Sequence, residues 1–298
     1  MAFRLTRALA LLLALTPFAT AAATTADIVV RDDSGATLRL PAPARRIVSL
    51  APHLTENLFA AGAGQRIVGV VDYSDHPEAA RRITGVGDYS LPNLEAIVAL
   101  RPDLVVAWRG GNPEAVLQKL RRLGLNVHET QPGRLDDIPA SIEQLGHLAG
   151  TEAVAGQTAA RFRQRLASLR ARYADQARVP VFYQIWHQPL MTVGGGQIIS
   201  DAIRLCGGEN VFANLPGMAP SVSVEAVLAA DPEAIVASGM GHDTPVGLED
   251  WRRWTRLKAA ARDNLFFVPA DLMQRPTPRL LDGAEQLCRH LETARGRR

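Results

Sequence analysis

A fifteen-residue segment occurs twice in this chain, and few folds accommodate such a repeat. Residues 94–108 are LEAIVALRPDLVVAW, and residues 224–238, 130 positions later, are VEAVLAADPEAIVAS. The identical pairs are Glu95/Glu225, Ala96/Ala226, Ala99/Ala229, Pro102/Pro232, Val106/Val236 and Ala107/Ala237. Chance similarity between alanine-rich segments is the alternative, but it explains the shared acidic residue poorly. The repeat favours two lobes that are built alike.

Each copy predicts a short helix followed by a buried strand. Pro102 and Pro232 end the helices, because the residue before a proline is biased towards extended backbone. The apolar runs 104–107 and 234–237 that follow are typical of strands buried on both faces. Strand and helix patterns alternate through the rest of the chain, which predicts mostly parallel sheets. We therefore predict an α/β fold with two lobes, each built on a mostly parallel sheet.

A long amphipathic pattern separates the two copies. From residue 151 to 177 there is no proline, and apolar or small residues recur every three or four positions, so we predict one helix of about 40 Å. This helix would join the lobes and divide the mature chain into an N-terminal lobe (24–150), a connecting helix (151–178) and a C-terminal lobe (179–298). Alternating residues on either side of a turn at 32–35 predict an opening β-hairpin.

The first 23 residues have the features of a secretory signal peptide. Arg4 and Arg7 precede an apolar run, and the small residues 19–23 follow Pro17. Cleavage would lower the formal net charge from +3 to +1, because two arginines and no acids are lost. We expect a periplasmic, monomeric protein that neither inserts into a membrane nor binds nucleic acid.

Two cysteines, Cys206 and Cys288, are the only ones in the chain. Export to an oxidising compartment would allow them to pair. A disulfide is the prediction, and two buried free thiols are the alternative.

Aromatic, basic and polar side chains follow several predicted strands. Loops at the carboxyl ends of parallel strands are where open α/β sheets bind ligands. The alternative is that the aromatic rings merely pack on neighbouring loops. The candidate ligand-binding residues are Pro52, His53, Tyr73, Tyr89, Trp108, Arg109, Trp186, His187, Met191 and Arg275.

Catalysis has no support in the sequence. The motifs of serine hydrolases, nucleotide-binding loops, zinc proteases and dinucleotide-binding folds do not occur. A nucleophilic set of Ser49, His53 and Asp72, or a metal site of His53, His76 and His187, are minor alternatives. We predict no enzyme activity, no catalytic cofactor and no bound metal, with a metal-ion carrier or a secreted hydrolase as the less favoured functions.

Four stretches resemble the periplasmic cobalamin-binding proteins of ABC importers. They are APHLTENLFAAG, YSDHP, NLEAIVALRPDLVVAWRGGN and LCGGENVF, and the resemblance extends from about residue 46 to 291. The ExIxxLxPDLV pattern is shared with haem and siderophore carriers, whereas AWRGGN and the YSDxP loop are closer to the cobalamin branch. Haem or a ferric siderophore is therefore the alternative cargo.

This resemblance implies a role for each set of residues. Cobalamin would be the transported ligand, held in a ligand cleft between the two lobes and lined by Tyr73, Tyr89 and Trp108 from the first lobe. From the second lobe, the corresponding residues are Trp186, His187, Met191 and Arg275. Ala219 and Leu272 stand where aromatic residues are expected, so the second wall differs from that of the family. Glu95 and Glu225 would dock onto the permease dimer of the importer.

Overall fold

The computed structural model describes residues 27–239 and 247–298. The predicted signal peptide, 1–23, lies outside the described residues. The chain opens with a β-hairpin of β1 (Ile28–Arg31) and β2 (Thr37–Leu40), as predicted. Within the described ranges, no helix is both long and apolar enough to cross a membrane.

The first lobe is built on a parallel four-stranded sheet. Its strands are β3 (Ile47–Ser49), β4 (Ile67–Val70), β7 (Leu104–Trp108) and β8 (Val127–Thr130), arranged in the order β4-β3-β7-β8. Its helices are α1 (Pro52–Ala60), α2 (Leu94–Ala99), α3 (Glu114–Arg122) and α4 (Asp137–Ala149). A small hairpin of β5 (Gly87–Asp88) and β6 (Leu91–Pro92) precedes α2.

The second lobe is built on another parallel four-stranded sheet. Its strands are β9 (Val179–Gln184), β10 (Gly208–Asn210), β11 (Ala234–Ala237) and β12 (Leu265–Phe267), arranged in the order β10-β9-β11-β12. Its helices are α6 (Ile198–Leu205), α7 (Val224–Ala230), α8 (Lys258–Ala261), α9 (Ala270–Met273) and α10 (Leu280–Gly296).

The two lobes have the same sheet topology, which confirms the prediction from the repeat. In each sheet, the strand that comes first along the chain (β3 or β9) lies second in the spatial order, and the strand of the repeat (β7 or β11) lies third. The repeat also recurs in local detail. The side chains of Asn93 and Ser223 cap α2 and α7, because each accepts a hydrogen bond from the backbone amide three residues later in the chain. Arg101 and Asp231, which precede the two prolines, both have positive φ.

Helix α5 (Glu152–Tyr173) joins the lobes. Its 22 residues span about 33 Å, so the prediction of a helix reaching residue 177 was wrong at its C-terminal end. Because β9 begins at Val179, residues 174–178 are needed to turn the chain into the second sheet. The domain boundaries at 150 and 178 stay a prediction.

One hydrophobic core runs through both lobes. It includes Ile47 and Leu104 of the first sheet, Leu166 of α5, and Val181 and Val236 of the second sheet. The connecting helix is therefore packed into the core on one side and does not act as an isolated tether.

The predicted disulfide is present. It joins Cys206 at the end of α6 to Cys288 in α10.

Candidate functional site: the interlobe face

The strand-end loops of the two lobes meet at both edges of the sheets. After edge strands β8 and β10, the amide of Gln131 lies 3.4 Å from the sulfur of Met218. At the opposite edge, after β4 and β12, the guanidinium of Arg275 lies 3.4 Å from the carbonyl oxygen of Tyr73. The loops after the central strands, β3 and β7 in one lobe and β9 and β11 in the other, lie between these contacts. They form the two walls of the interlobe face.

The first wall is a cluster of three rings. The imidazole of His53 meets the half-buried indole of Trp108 edge-on, with ring centroids 5.2 Å apart. The ring of Tyr89 lies 5.9 Å from the same indole. The predicted position of His53 in a loop was wrong, since α1 begins at Pro52 and places His53 in its first turn. Proline suits that position because it has no amide hydrogen to satisfy.

Asn112 holds this wall together. Its side-chain amide donates to the carbonyl oxygens of Leu50 and Tyr89, both at 2.8 Å, and its side-chain oxygen accepts from the backbone amide of Trp108 at 2.6 Å. Gly111 allows the indole to lie against the backbone, since a Cβ there would be 1.9 Å from the ring of Trp108. One side chain and one glycine thus fix the loops after β3, β5 and β7.

His53 is neutral at physiological pH. Burial, reinforced by the charge of Arg275, lowers the pKa of His53 to about 3. Its Nε2 atom is buried and has no hydrogen-bond partner in the part of the chain that the structure describes. The ring is therefore an uncharged, buried group packed against the indole of Trp108.

The second wall is formed around the end of β9. Trp186 is 42% exposed, and its indole nitrogen donates to the carbonyl oxygen of Gln188 at 2.8 Å. Met191 pairs with Trp186 through an antiparallel bridge and is half-buried. His187 lies 3.7 Å from Asp250. This wall offers an exposed indole and a thioether.

An ion cluster closes the edge at which Tyr73 lies. Glu56 of α1, whose side chain is 3% exposed, receives hydrogen bonds from Arg275 at 2.9 Å and from Arg279 at 2.9 and 2.7 Å. Arg275 also contacts Asp75 at 2.8 Å and Asp271 at 3.0 Å. Burial opposes the charge of Arg275, but its bonds to Asp75 and Glu56 outweigh this and raise its pKa. The cluster joins α1 to the segment before α10.

Two predicted ligand residues have further contacts. Arg109 donates to the carbonyl oxygen of Asp33 at 2.5 Å, and so braces the N-terminal hairpin. Tyr73 has a φ of 62°, in the left-handed region, and the residue is 71% exposed. The ligand-binding roles of both residues, and of the other candidates, stay predictions.

Glu95 and Glu225 are exposed in the first turns of α2 and α7. Neither carboxylate forms an ion pair with a residue that the structure describes. Hydrogen bonding to its own backbone and to Ser223 lowers the pKa of Glu225. The two acids therefore occupy equivalent, solvent-exposed positions of the two lobes.

The geometry gives no support to the catalytic alternatives. The hydroxyl of Ser49 bonds to the carbonyl oxygen of Ala51 and to Thr55, and not to His53. In residues 27–239 and 247–298, no three His, Cys, Asp or Glu side chains converge to hold a metal ion. What the site offers chemically is aromatic and polar recognition.

A family model described as periplasmic binding protein matches residues 47–272. The chain belongs to the periplasmic binding protein family. Within the family, the vitamin B12-binding protein of Vibrio cholerae is 42% identical over 258 residues, which is 86% of this chain and 92% of that protein. The vitamin B12-binding protein of Vibrio parahaemolyticus is 39% identical over 260 residues, with the same two coverages.

Solved structures of the family have the same fold. The periplasmic vitamin B12 binding protein BtuF of Vibrio cholerae superposes with a TM-score of 0.79 at 40% identity, covering 85% of this chain and 98% of that one. The periplasmic heme-binding protein RhuT from Roseiflexus superposes with a TM-score of 0.74 at 22% identity, covering 84% and 99%. At that lower identity, the second match supports the fold alone.

Sequence reasoning missed Glu56, Gly111 and Asn112. Glu56 lies within the APHLTENLFAAG stretch, but its partners Arg275 and Arg279 lie about 220 residues away. For Gly111 and Asn112 a signal was present, because both lie in the AWRGGN stretch that carries the resemblance. The sequence identifies the AWRGGN motif, and the structure shows that its Gly111 and Asn112 fix the position of Trp108.

Proposed function

We propose that this protein captures cobalamin in the periplasm and delivers it to an ABC importer in the inner membrane. The observation that carries the proposal is that the chain is 42% identical to a vitamin B12-binding protein, over 92% of the length of that protein. The rings of Tyr89 and Trp108, with the buried His53 packed against the indole, support it, since a large flat macrocycle is well matched by aromatic side chains.

The second lobe completes the proposed site. The indole of Trp186 faces the ligand from the second wall, and Met191 supplies an adaptable apolar contact. Where the repeat places Trp108 in the first lobe, the second lobe has Ser238, which is 4% exposed and accepts a hydrogen bond from Gln274. The lobes therefore present different chemistry to the cargo.

Several further properties belong to this proposal. The protein is a monomeric carrier and not an enzyme. Residues 1–23 direct it to the periplasm and are then removed. Glu95 and Glu225 dock onto the permease dimer, because two equivalent exposed acids on lobes of equal topology match a partner made of two like subunits. Rim ion pairs of this kind fix register and accelerate encounter.

Ligand titration tests the proposed cargo. Adding cyanocobalamin to the purified mature protein should quench tryptophan fluorescence with saturation at one ligand per chain. Haemin and a ferric hydroxamate siderophore are titrated in parallel, because carriers of the same fold bind such cargo. Saturable binding of haemin, together with no response to the corrinoid, would contradict the cobalamin proposal.

Substituting Gly111 with alanine should weaken cobalamin binding by about tenfold, since losing one well-placed aromatic contact costs roughly 1–2 kcal/mol. The new Cβ would meet the indole of Trp108 at 1.9 Å and displace it. Gly156→Ala is the matched control, because nothing lies within 4 Å of its added Cβ. Equal cyanocobalamin affinities for the two variants would show that the position of the indole does not matter.

A further inference from the structure

A concave site lies at the junction between the lobes. It is a cavity of about 470 Å³ formed by the loop after β8, the C-terminal end of α5 and the end of α6. The second-lobe part of its lining lies at the amino ends of the strands, since Arg178 precedes β9 and Gly207 precedes β10. None of the residues that form the two aromatic walls lines this cavity. The cavity is therefore distinct from the ring cluster.

The lining of this cavity is strongly basic. Four arginines line it, Arg134, Arg170, Arg178 and Arg204, against two aspartates, a net charge of +2. Burial of Tyr173 and Leu205 at its floor places apolar surface beside these charges. Charge interactions are stronger against such a surface than in open water.

Both carboxylates in the cavity are already engaged. Asp136 receives two hydrogen bonds from Arg170, at 2.9 and 2.5 Å. Asp201 receives one from Arg204 at 3.0 Å and one from the backbone amide of Leu135 at 2.9 Å. The last of these is a contact between the lobes. No acid of the lining is left to neutralise the other two arginines.

Arg134 and Arg178 are the unneutralised pair. Neither guanidinium has a hydrogen bond or an ion pair with a residue in the part of the chain that the structure describes. Arg134 lies beside Asp136, since its charge contributes to lowering the pKa of that carboxyl, after the larger effect of the hydrogen bond from Arg170. Two free guanidinium groups thus border one cavity.

We propose that this cavity binds a phosphate dianion, free or as a monoester, through Arg134 and Arg178. The guanidinium fork matches phosphate oxygens in geometry and keeps its charge at any physiological pH. A volume of about 470 Å³ admits a phosphate together with a small organic group. Phosphatidic acid, a lipid whose headgroup is a phosphate monoester, is the second source of the same chemistry.

Phosphate bound here ties the lobes together. Arg134 belongs to the loop after β8 of the first lobe, and Arg178 leads directly into β9 of the second. The interlobe bond between Leu135 and Asp201 lies in the same lining. A ligand that binds the folded junction and not the unfolded chain raises thermal stability.

Phosphate titration of the mature protein, without corrinoid, tests this site. At constant ionic strength, replacing sodium chloride by sodium phosphate should raise the unfolding temperature in a saturable way, and glycerol 3-phosphate should do the same. The double variant Arg134→Ala/Arg178→Ala should bind phosphate at least about tenfold more weakly. The variant with lysine at both positions should retain part of the affinity, because the charge is kept.

The control variant is Arg122→Ala/Arg289→Ala, which removes the same charge from two exposed arginines outside the cavity. It should bind phosphate like the parent. Saturable binding only to vesicles that contain phosphatidic acid, and not to phosphatidylcholine vesicles, that is lost in the cavity variant would assign the site to headgroups. No saturable effect of either source on the parent protein, or equal effects on the two alanine variants, would overturn the proposal.

Discussion

Replacing Glu56 by alanine is expected to lower the free energy of unfolding by about 3 kcal/mol, near the lower limit for breaking a buried ion pair. Its carboxylate receives three short hydrogen bonds from Arg275 and Arg279, and its side chain is 3% exposed. Without it, Arg279 has no carboxylate partner in the described residues. Arg275 keeps Asp75 and Asp271, which limits the loss. Urea unfolding measures the change.

Asp271→Ala is the matched control for this prediction. It removes another carboxylate from the same Arg275, but that side chain is 56% exposed. An exposed pair contributes at most about 1 kcal/mol, so this variant should stay near the parent. If Glu56→Ala is no less stable than Asp271→Ala, the cluster does not hold the lobes together. The variant Glu56→Gln should fall between them, because it keeps the shape of the side chain and loses its charge.

Replacing both Glu95 and Glu225 by alanine is expected to abolish corrinoid uptake and to leave corrinoid binding unchanged. Both acids are exposed and have no ion-pair partner among the described residues, so their loss should disturb the fold little, the contact removed being the hydrogen bonding of Glu225 to Ser223 and to its own backbone. Each single variant should retain part of the uptake, since one docking contact remains. Labelled cyanocobalamin uptake is measured in cells that carry the variant as their only copy, and affinity is measured by fluorescence.

The control for the docking proposal is Glu78→Ala/Glu249→Ala, which removes one exposed first-turn acid from each lobe. It should transport like the parent. Normal uptake by the Glu95/Glu225 variant at low and at physiological salt would contradict the docking role. A loss of cyanocobalamin affinity in that variant would place the defect in the fold and not in docking.

Local patterns predicted most of the architecture. The prolines of the repeat end α2 and α7, and the apolar runs after them form β7 and β11 at equal places in the two sheets. The hairpin and the disulfide were also predicted. The helix ends, the strands and the hairpin depend on neighbouring residues, and two cysteines allow only one intramolecular disulfide. Both kinds of feature can be read directly from the sequence.

Contacts between distant segments could not be predicted. In α5 the amphipathic pattern does not determine which residues of the first turn are buried: Val154 is 47% exposed, whereas Ala155 is buried. The reason is the close approach of α4, where a Cβ on Gly146 would lie 2.3 Å from that of Ala155. The partners of Arg275 were missed likewise, because no local pattern encodes a pair that forms across two lobes.

Asn112 constrains how the ring cluster of this protein can evolve. Because one side chain bonds to Leu50, Tyr89 and Trp108, substitutions in these three loops cannot act independently on the ring cluster. A new residue at one ring position alters the framework on which the others rest. Selection for a different cargo would therefore have to alter the three loops together, or begin with substitutions in the second wall. In the described residues, no single side chain links Trp186 to several neighbouring loops as Asn112 does for the ring cluster.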